Sequence, residues 1–309
     1  MVAIREVRAA NSSLKSSKQS LTAVFTGATS GIGKATLQAF ARHIPHPTAI
    51  IVGRSQKAFA PELEHLKAIN PNGTYIFLEE DISLIKNIDA VSKRIASSLQ
   101  EKNLKIDLLF LSQGYISFNG RETNADGLDT SVSLRYYGRV RFAQNLLPYT
   151  APDARIVSIL AGGQEAKIIE DDLDLEKNYS VGNAMGHPAC MLTLSWDAFA
   201  AQNSDKTFLH VFPGLTSTGL LGRSATGVLG FVMRWVVEPI LKLTASRPED
   251  IGERMLYYAT TGESGKGSWS LGWDGTPKEN EVLKGYRERG FKDMVVEHNE
   301  RMFERALAR

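Results

Sequence analysis

An apolar run, Ala23, Val24 and Phe25, passes directly into Thr26-Gly27-Ala28-Thr29-Ser30-Gly31-Ile32-Gly33, and residues 34–42 continue at helical spacing. No other stretch limits the possible folds as strongly, because it predicts a buried strand, a tight glycine turn and the start of a helix. Glycine is needed at 27, 31 and 33. There the backbone must turn sharply, let a pyrophosphate approach with no Cβ in the way, and seat the helix close to the strand. The free N–H groups and the positive dipole end of the helix attract the anion, so Thr29, Ser30 and Ile32 belong to the same cradle.

The rest of the chain repeats the alternation. Strands are expected over 48–52, 74–78, 106–111, 155–160 and 207–212, and helices over 61–69, 89–100, 127–148 and 181–202. Pro188 interrupts the first turns of the last helix. Strands and helices alternating at these lengths imply an α/β fold, a Rossmann-type doubly wound parallel sheet covered on both faces. Residues 1–20 are expected as an N-terminal arm or lead-in helix. Residues 21–309 form one dinucleotide-binding domain, with 220–309 as a helical lid and extension over the substrate pocket. A lid helix pair is expected over 227–243, and a glycine- and serine-rich loop over 262–275.

Arg54 follows the second strand, where a dinucleotide fold meets the adenosine ribose. An acidic residue here would grip the ribose hydroxyl of NAD, whereas the guanidinium fork suits the phosphate of NADP. NADP, bound as NADPH, is therefore the expected cofactor.

Composition narrows the partners. Lys and Arg number 36 against 34 acidic residues, a net charge of +2 that does not suggest a nucleic-acid footprint. The lone cysteine, Cys190, allows no internal disulfide and fits a reducing, cytoplasmic setting. The apolar stretch 227–243 carries Arg234, Glu238, Pro239 and Lys242, so no integral membrane span is expected. No metal site is expected either.

Thr26-Gly27-x-x-x-Gly31-x-Gly33, Arg54, Asp81, the Ser112-Gln113-Gly114 turn and Pro213-Gly214-x-x-x-Thr218 occur in one order. Together they resemble the short-chain dehydrogenase/reductase family over roughly residues 20–260. The resemblance implies that Asp81 holds the adenine, that Ser112 and Gly114 border the adenosine ribose, and that Pro213, Gly214 and Thr218 meet the nicotinamide side. The family's usual Asn-Ala-Gly is replaced at 112–114.

That family transfers protons with a tetrad of Asn, Ser, Tyr and Lys. The layout is most similar to the retinol-dehydrogenase-like branch, with Asp172-Leu173 and Tyr179-Ser180 as anchors. Counting from these, the tyrosine position falls on Met185, the lysine position on Ala189, the serine position on Ala161 and the asparagine position on Arg135. All four are replaced, and neither methionine nor alanine can transfer a proton.

The candidate substitutes are His187, Arg135, Tyr136 and Ser158. The imidazole of His187 could donate near neutral pH, or simply pack as a core or surface histidine. Arg135 could polarise a carbonyl or neutralise an enolate, or pair with Asp129, Glu165 or Asp171. Tyr136 and its neighbour Tyr137 are phenol donors on the same helix, with packing as the alternative. Ser158 shares a strand with the lost serine, but three residues earlier, where an odd step reverses the face. Tyr179 is read as part of the structural Tyr-Ser pair.

The expected function is an NADPH-dependent oxidoreductase acting on a ketone or alcohol of a small hydrophobic substrate. A substrate with an acidic oxygen, such as a β-dicarbonyl, would need less help from a protein acid. A looser resemblance to divergent fungal members encoded in polyketide or polyketide-peptide clusters points to secondary metabolite biosynthesis. The alternatives are a non-redox isomerase, dehydratase or cyclase, and an NADPH-sensing binding protein. Assembly as a homo-oligomer is left open.

Overall fold

The computed structural model describes residues 2–17, 20–214, 247–262 and 264–309. Seven strands form one parallel sheet in the order β3-β2-β1-β4-β5-β6-β7. They are β1 (Ser20–Thr26), β2 (His46–Gly53), β3 (Thr74–Glu79), β4 (Ile106–Leu111), β5 (Thr150–Ile159), β6 (Thr207–Val211) and β7 (Gly267–Leu271). The order reverses between β1 and β4, so a crevice opens outside their carboxyl ends.

Alternation along each strand divides the core between the two faces. Ala23 and Phe25 point to one side with Ile51, Phe110 and Val157. Val24 points to the other with Ile50, Leu109 and Ile156. Both sets are buried, which is why these strands read as continuous apolar runs. On the first face lie α1 (Ile4–Ser13), α2 (Gly31–His43), α3 (Gln56–Ile69) and α8 (Pro248–Thr260). On the second lie α4 (Ile85–Glu101), α6 (Gly138–Leu146), α7 (Val181–Gln202), α9 (Glu281–Glu288) and α10 (Lys292–Leu307). Before α6 comes a short turn of helix, α5 (Thr130–Val132).

Residues 1–20 include α1, whose Val7 and Asn11 are buried. The Asn11 side-chain amide donates to the Glu253 carboxylate on α8 at 2.7 Å. α3 begins five residues before its expected start, because Ser55 Oγ caps Ala58 N at 3.2 Å and Phe59 stacks on Phe77. Pro61 is accommodated inside it.

The helix expected over 127–148 is not continuous. Asp129 caps α5 by accepting from Val132 N at 2.9 Å, a π turn spans Ser133–Tyr137, α6 follows, and a 3-10 turn closes at Leu147–Tyr149. Gly138 N reaches back to Ser133 O across five residues, the mark of a widened turn.

The loop expected over 262–275 contains β7, a correction with a plain cause. Its ladder is supplied by β6, so a strand of Gly, Ser, Trp and Leu forms without an apolar run of its own. The lid helices expected over 227–243 lie outside the described residues, as does Thr218. No described helix is long and apolar enough to cross a membrane.

Candidate active site

The cofactor side of the crevice is built from backbone. β1 ends at Thr26, and Gly27 turns the chain with φ at +72°, a region that disfavours side chains. A Cβ on Gly27 would stand 2.2 Å from Gln113 N, and one on Gly33 would stand 2.3 Å from Ser112 Oγ. These two glycines therefore let the turn press against the end of β4. Ser112 completes the seam, its hydroxyl donating to Thr26 O at 2.9 Å. Ser30 is the N-cap of α2, which starts at Gly31, and Ile32 packs partly into the first-face core.

Thr29 lies against the end of β2, where a Cβ on Gly53 would meet its methyl at 2.7 Å. Arg54 follows at the surface and makes no hydrogen bond or ion pair among the described residues. Asp81 is exposed just past β3, its carboxylate accepting from Ser83 N at 3.1 Å. Pro213 and Gly214 follow β6, and Gly214 approaches Trp273.

Gln113 was not among the expected site residues. Its Oε1 accepts from Thr26 Oγ1 at 2.5 Å, while its Nε2 is buried with no partner among the described residues. A buried unpaired donor at the reversal point, beside a glycine turn that opens a helix, fits a dinucleotide with its polar ribose oxygens. The available signal was its place in the turn that closes β4. Among the described residues there is no cluster of side chains that could hold a metal ion.

The opposite wall is built from side chains. Pro188 has no N–H, so the helix cannot bond the Ala184 carbonyl four residues back. Arg135, projected from the π turn, fills that place: Nη1 donates to Ala184 O at 2.6 Å and Nη2 to Met185 O at 3.4 Å. Its stem passes beside the 112–114 turn, with Cγ 3.8 Å from where a Cβ on Gly114 would lie. No carboxylate pairs with it among the described residues, so the alternative of a partner in Asp129, Glu165 or Asp171 is not realised. Burial draws its guanidinium down to about 10, against the smaller opposing pull of Tyr179 and Asp129.

One turn further on, Arg139 is a second buried cation. Nη1 donates to Ser158 Oγ at 2.6 Å, Ile159 O at 2.8 Å and Leu111 O at 3.3 Å, and Nη2 to Gln113 O at 2.5 Å. It ties the ends of β4 and β5 together. Burial, reinforced by the Arg135 charge, pushes it down to about 9. Arg139 was also not anticipated, although an arginine four residues after Arg135 between apolar neighbours was a visible signal.

Three expected acids have other partners. His187 Nδ1 accepts from Ile169 N at 3.1 Å and Nε2 donates to Leu173 O at 3.1 Å. Burial takes this imidazole down to about 4, so it is a neutral brace for the 169–173 turn. Tyr136 falls one helical step, about 100°, from Arg135 and so faces the core. Its hydroxyl donates to Asn299 Oδ1 at 2.7 Å and lies 3.1 Å from Ser195 Oγ, and burial raises it far above its ordinary value. Ser158 is fully buried and serves Arg139.

At the positions of the tetrad, Met185 is 44% exposed and Ala189 is buried. Ala161 N donates to His210 Nε2 at 3.0 Å, and His210 Nδ1 meets Thr193 Oγ1 at 2.8 Å. Thr193 and Ser270 hydroxyls donate to Glu165 Oε1 at 2.8 and 2.7 Å. This chain holds the turn after β5 rigid. Beside Arg135, the Tyr179 hydroxyl donates to Ser117 O at 3.4 Å, and burial raises it to about 12.

Residues 21–168 match the family described as short chain dehydrogenase. Over its whole length the chain is 34% identical to the oxidoreductase AN1596 of Emericella nidulans, itself fully covered. It is 35% identical to the NmrA-like family domain-containing oxidoreductase notO of an Aspergillus species, across 98% of this chain and 95% of that one. The fold is similar to that of NADPH-bound carbonyl reductase from chicken fatty liver, with a TM-score of 0.60 at 16% identity over 85% of this chain and 100% of that one.

Proposed function

The chain belongs to the short-chain dehydrogenase/reductase family and is an oxidoreductase of that family, and from this premise we propose that it is NADPH-dependent and reduces a ketone, or oxidises the matching alcohol, of a small hydrophobic molecule. The observation that carries the coenzyme reading is Arg54. It sits at the carboxyl end of β2, next to the turn that Thr29 closes, with its donors unengaged by any described residue. A ribose phosphate placed there accepts a bidentate, charge-assisted pair.

When bound, the cofactor supplies the hydride, and the chain supplies orientation and charge. Residues 27–33 would seat the pyrophosphate at the start of α2 and Gln113 would donate to a ribose oxygen, while Arg135 presents a cation between the 112–114 turn and the first turn of α7. The same reading takes the substrate as a bulky apolar molecule of fungal secondary metabolism, polyketide or polyketide-peptide in character; whole-chain similarity to fungal oxidoreductases supports the redox part of it. The lone cysteine, Cys190, is buried and free, in keeping with a cytoplasmic setting.

Parallel titrations with NADPH and NADH test the reading. Arg54→Ala is expected to weaken NADPH binding by roughly 10- to 100-fold, the worth of a charged hydrogen bond, and to leave NADH almost unchanged. Equal losses for both coenzymes would refute the role of Arg54.

A further inference from the structure

Arg135 and Arg139 place two guanidinium groups one helical turn apart, and no carboxylate pairs with either among the described residues. A buried cation without a counterion is expensive, and a neutral amide would cap the Ala184 carbonyl equally well. The charge therefore has another use. Arg139 has the Leu111, Gln113, Ser158 and Ile159 acceptors around it and is fully enclosed. Arg135 spends two of its five N–H donors on carbonyls and stands between the 112–114 turn and the first turn of α7, where the family's proton donor is replaced by Met185.

We propose that the substrate is an enolised β-dicarbonyl, which supplies its own enol proton in place of the missing tyrosine and leaves an enolate that Arg135 holds. This rests on the reductase reading above and names its substrate class. In the balanced step, the ketone carbon accepts a hydride, with the reduced nicotinamide cofactor as reductant. The C=O π pair moves onto oxygen, and that oxygen takes the proton of the neighbouring enol O–H. The O–H bonding pair stays on the former enol oxygen. The ketone becomes a secondary alcohol, the cofactor is oxidised, and the single negative charge formed is the enolate's. No protein acid is consumed, and the enolate reprotonates after release.

The groups around Arg135 suit this charge. Arg139 on the same helical segment adds a second cation. Tyr179, on the segment before α7, is held neutral by burial. Asp129 is the anionic neighbour, and its two oxygens are engaged by the backbone N–H groups of Val132 at 2.9 Å and Glu122 at 3.0 Å. Glu122, the carboxylate facing Tyr179, is engaged by the Tyr115 and Ser117 hydroxyls at 3.0 and 2.7 Å, so both nearby carboxylates already have donors and the guanidinium N–H groups favour an oxyanion.

The test uses benzoylacetone and its gem-dimethyl analogue, in which both hydrogens between the carbonyls are replaced so that no shared enol forms. With the full chain and NADP present, the enolate absorbance of bound benzoylacetone is expected to titrate about 1–3 units lower than in water, the effect of a nearby opposite charge. Arg135→Gln should abolish that shift and Arg135→Lys should retain most of it, with thermal melts verifying that both variants fold. In NADPH consumption, benzoylacetone should be reduced and the analogue should not. An unshifted titration, failure of benzoylacetone to bind, or the same shift in Arg135→Gln would overturn the proposal. Equal reduction of the analogue would overturn it too while leaving the reductase reading intact, whereas failure of the protein to bind NADPH would remove the reading itself.

Discussion

Across the crevice, residues 27–33 and the first turn of α7 face the same space with different materials. The first wall is backbone: Gly27 and Gly33 press against Gln113 and Ser112 at distances no side chain would tolerate. The second is side chain: Arg135 replaces the hydrogen bond that Pro188 denies Ala184, and Arg139 gathers acceptors from two strands. A backbone wall is specified locally, by which residues lack a Cβ. A side-chain wall is specified by partners 19 to 50 residues away in sequence. The first wall consequently keeps its shape through residue type alone, while the second depends on distant partners and is closed at Ala184 by Arg135.

The sharpest way to break this comparison is at Gly27. Gly27→Ala forces a side chain onto a positive φ and into Gln113 N, and is expected to cost about 3 kcal/mol or more of stability. NADPH binding should be lost in whatever protein folds. A urea melt with a parallel NADPH titration decides it, and near-normal values for both would mean that the turn is not a rigid backbone wall.

The second wall predicts a smaller, pH-dependent effect. The His187 imidazole falls from 6.5 to about 4 on folding, so the unfolded chain binds the proton more readily between those values. Its contribution to stability is present above pH 6.5 and is lost as pH falls toward 4, by about 3 kcal/mol in all. His298, also near 4, and His210, near 3, act in the same direction. In His187→Gln the slope of the urea midpoint against pH should flatten by about one proton across that window, with the pH profile of turnover near neutrality unchanged. A changed turnover profile would show that His187 takes part in proton transfer.

The smallest effect is expected at Tyr136. Tyr136→Phe removes the hydroxyl that joins Asn299 and Ser195, and should lower stability by about 1 kcal/mol with kcat and KM unaltered. A fall in kcat alone would contradict its place in the core.

Legibility followed the same division. β4 and α7 have the bounds that periodicity predicts, because each buries a pattern readable along its own length. β7 was hidden, since a strand whose ladder comes wholly from β6 needs no apolar run. The helix over 127–148 was readable as helical but not as interrupted, because apolar spacing survives a single π turn. His187 and Tyr136 carried the right chemistry for acids. Their occupation by Leu173 O, Ile169 N, Asn299 and Ser195 depends on chain segments that no local window contains.

By itself the sequence determined the alternating strands and helices, the glycine turn at residues 27–33 and the place of Arg54 after β2, since each follows from local periodicity or residue type. Only the tertiary structure decided that Arg135 caps the Ala184 carbonyl while His187 braces the 169–173 turn, that Arg139 ties the ends of β4 and β5 together, and that Gln113 Nε2 is buried without a partner among the described residues. The reason is physical: a strand or a glycine turn is set by the energetics of neighbouring residues, whereas the charge state and freedom of a buried polar group are set by whichever distant atoms the fold brings within hydrogen-bonding distance.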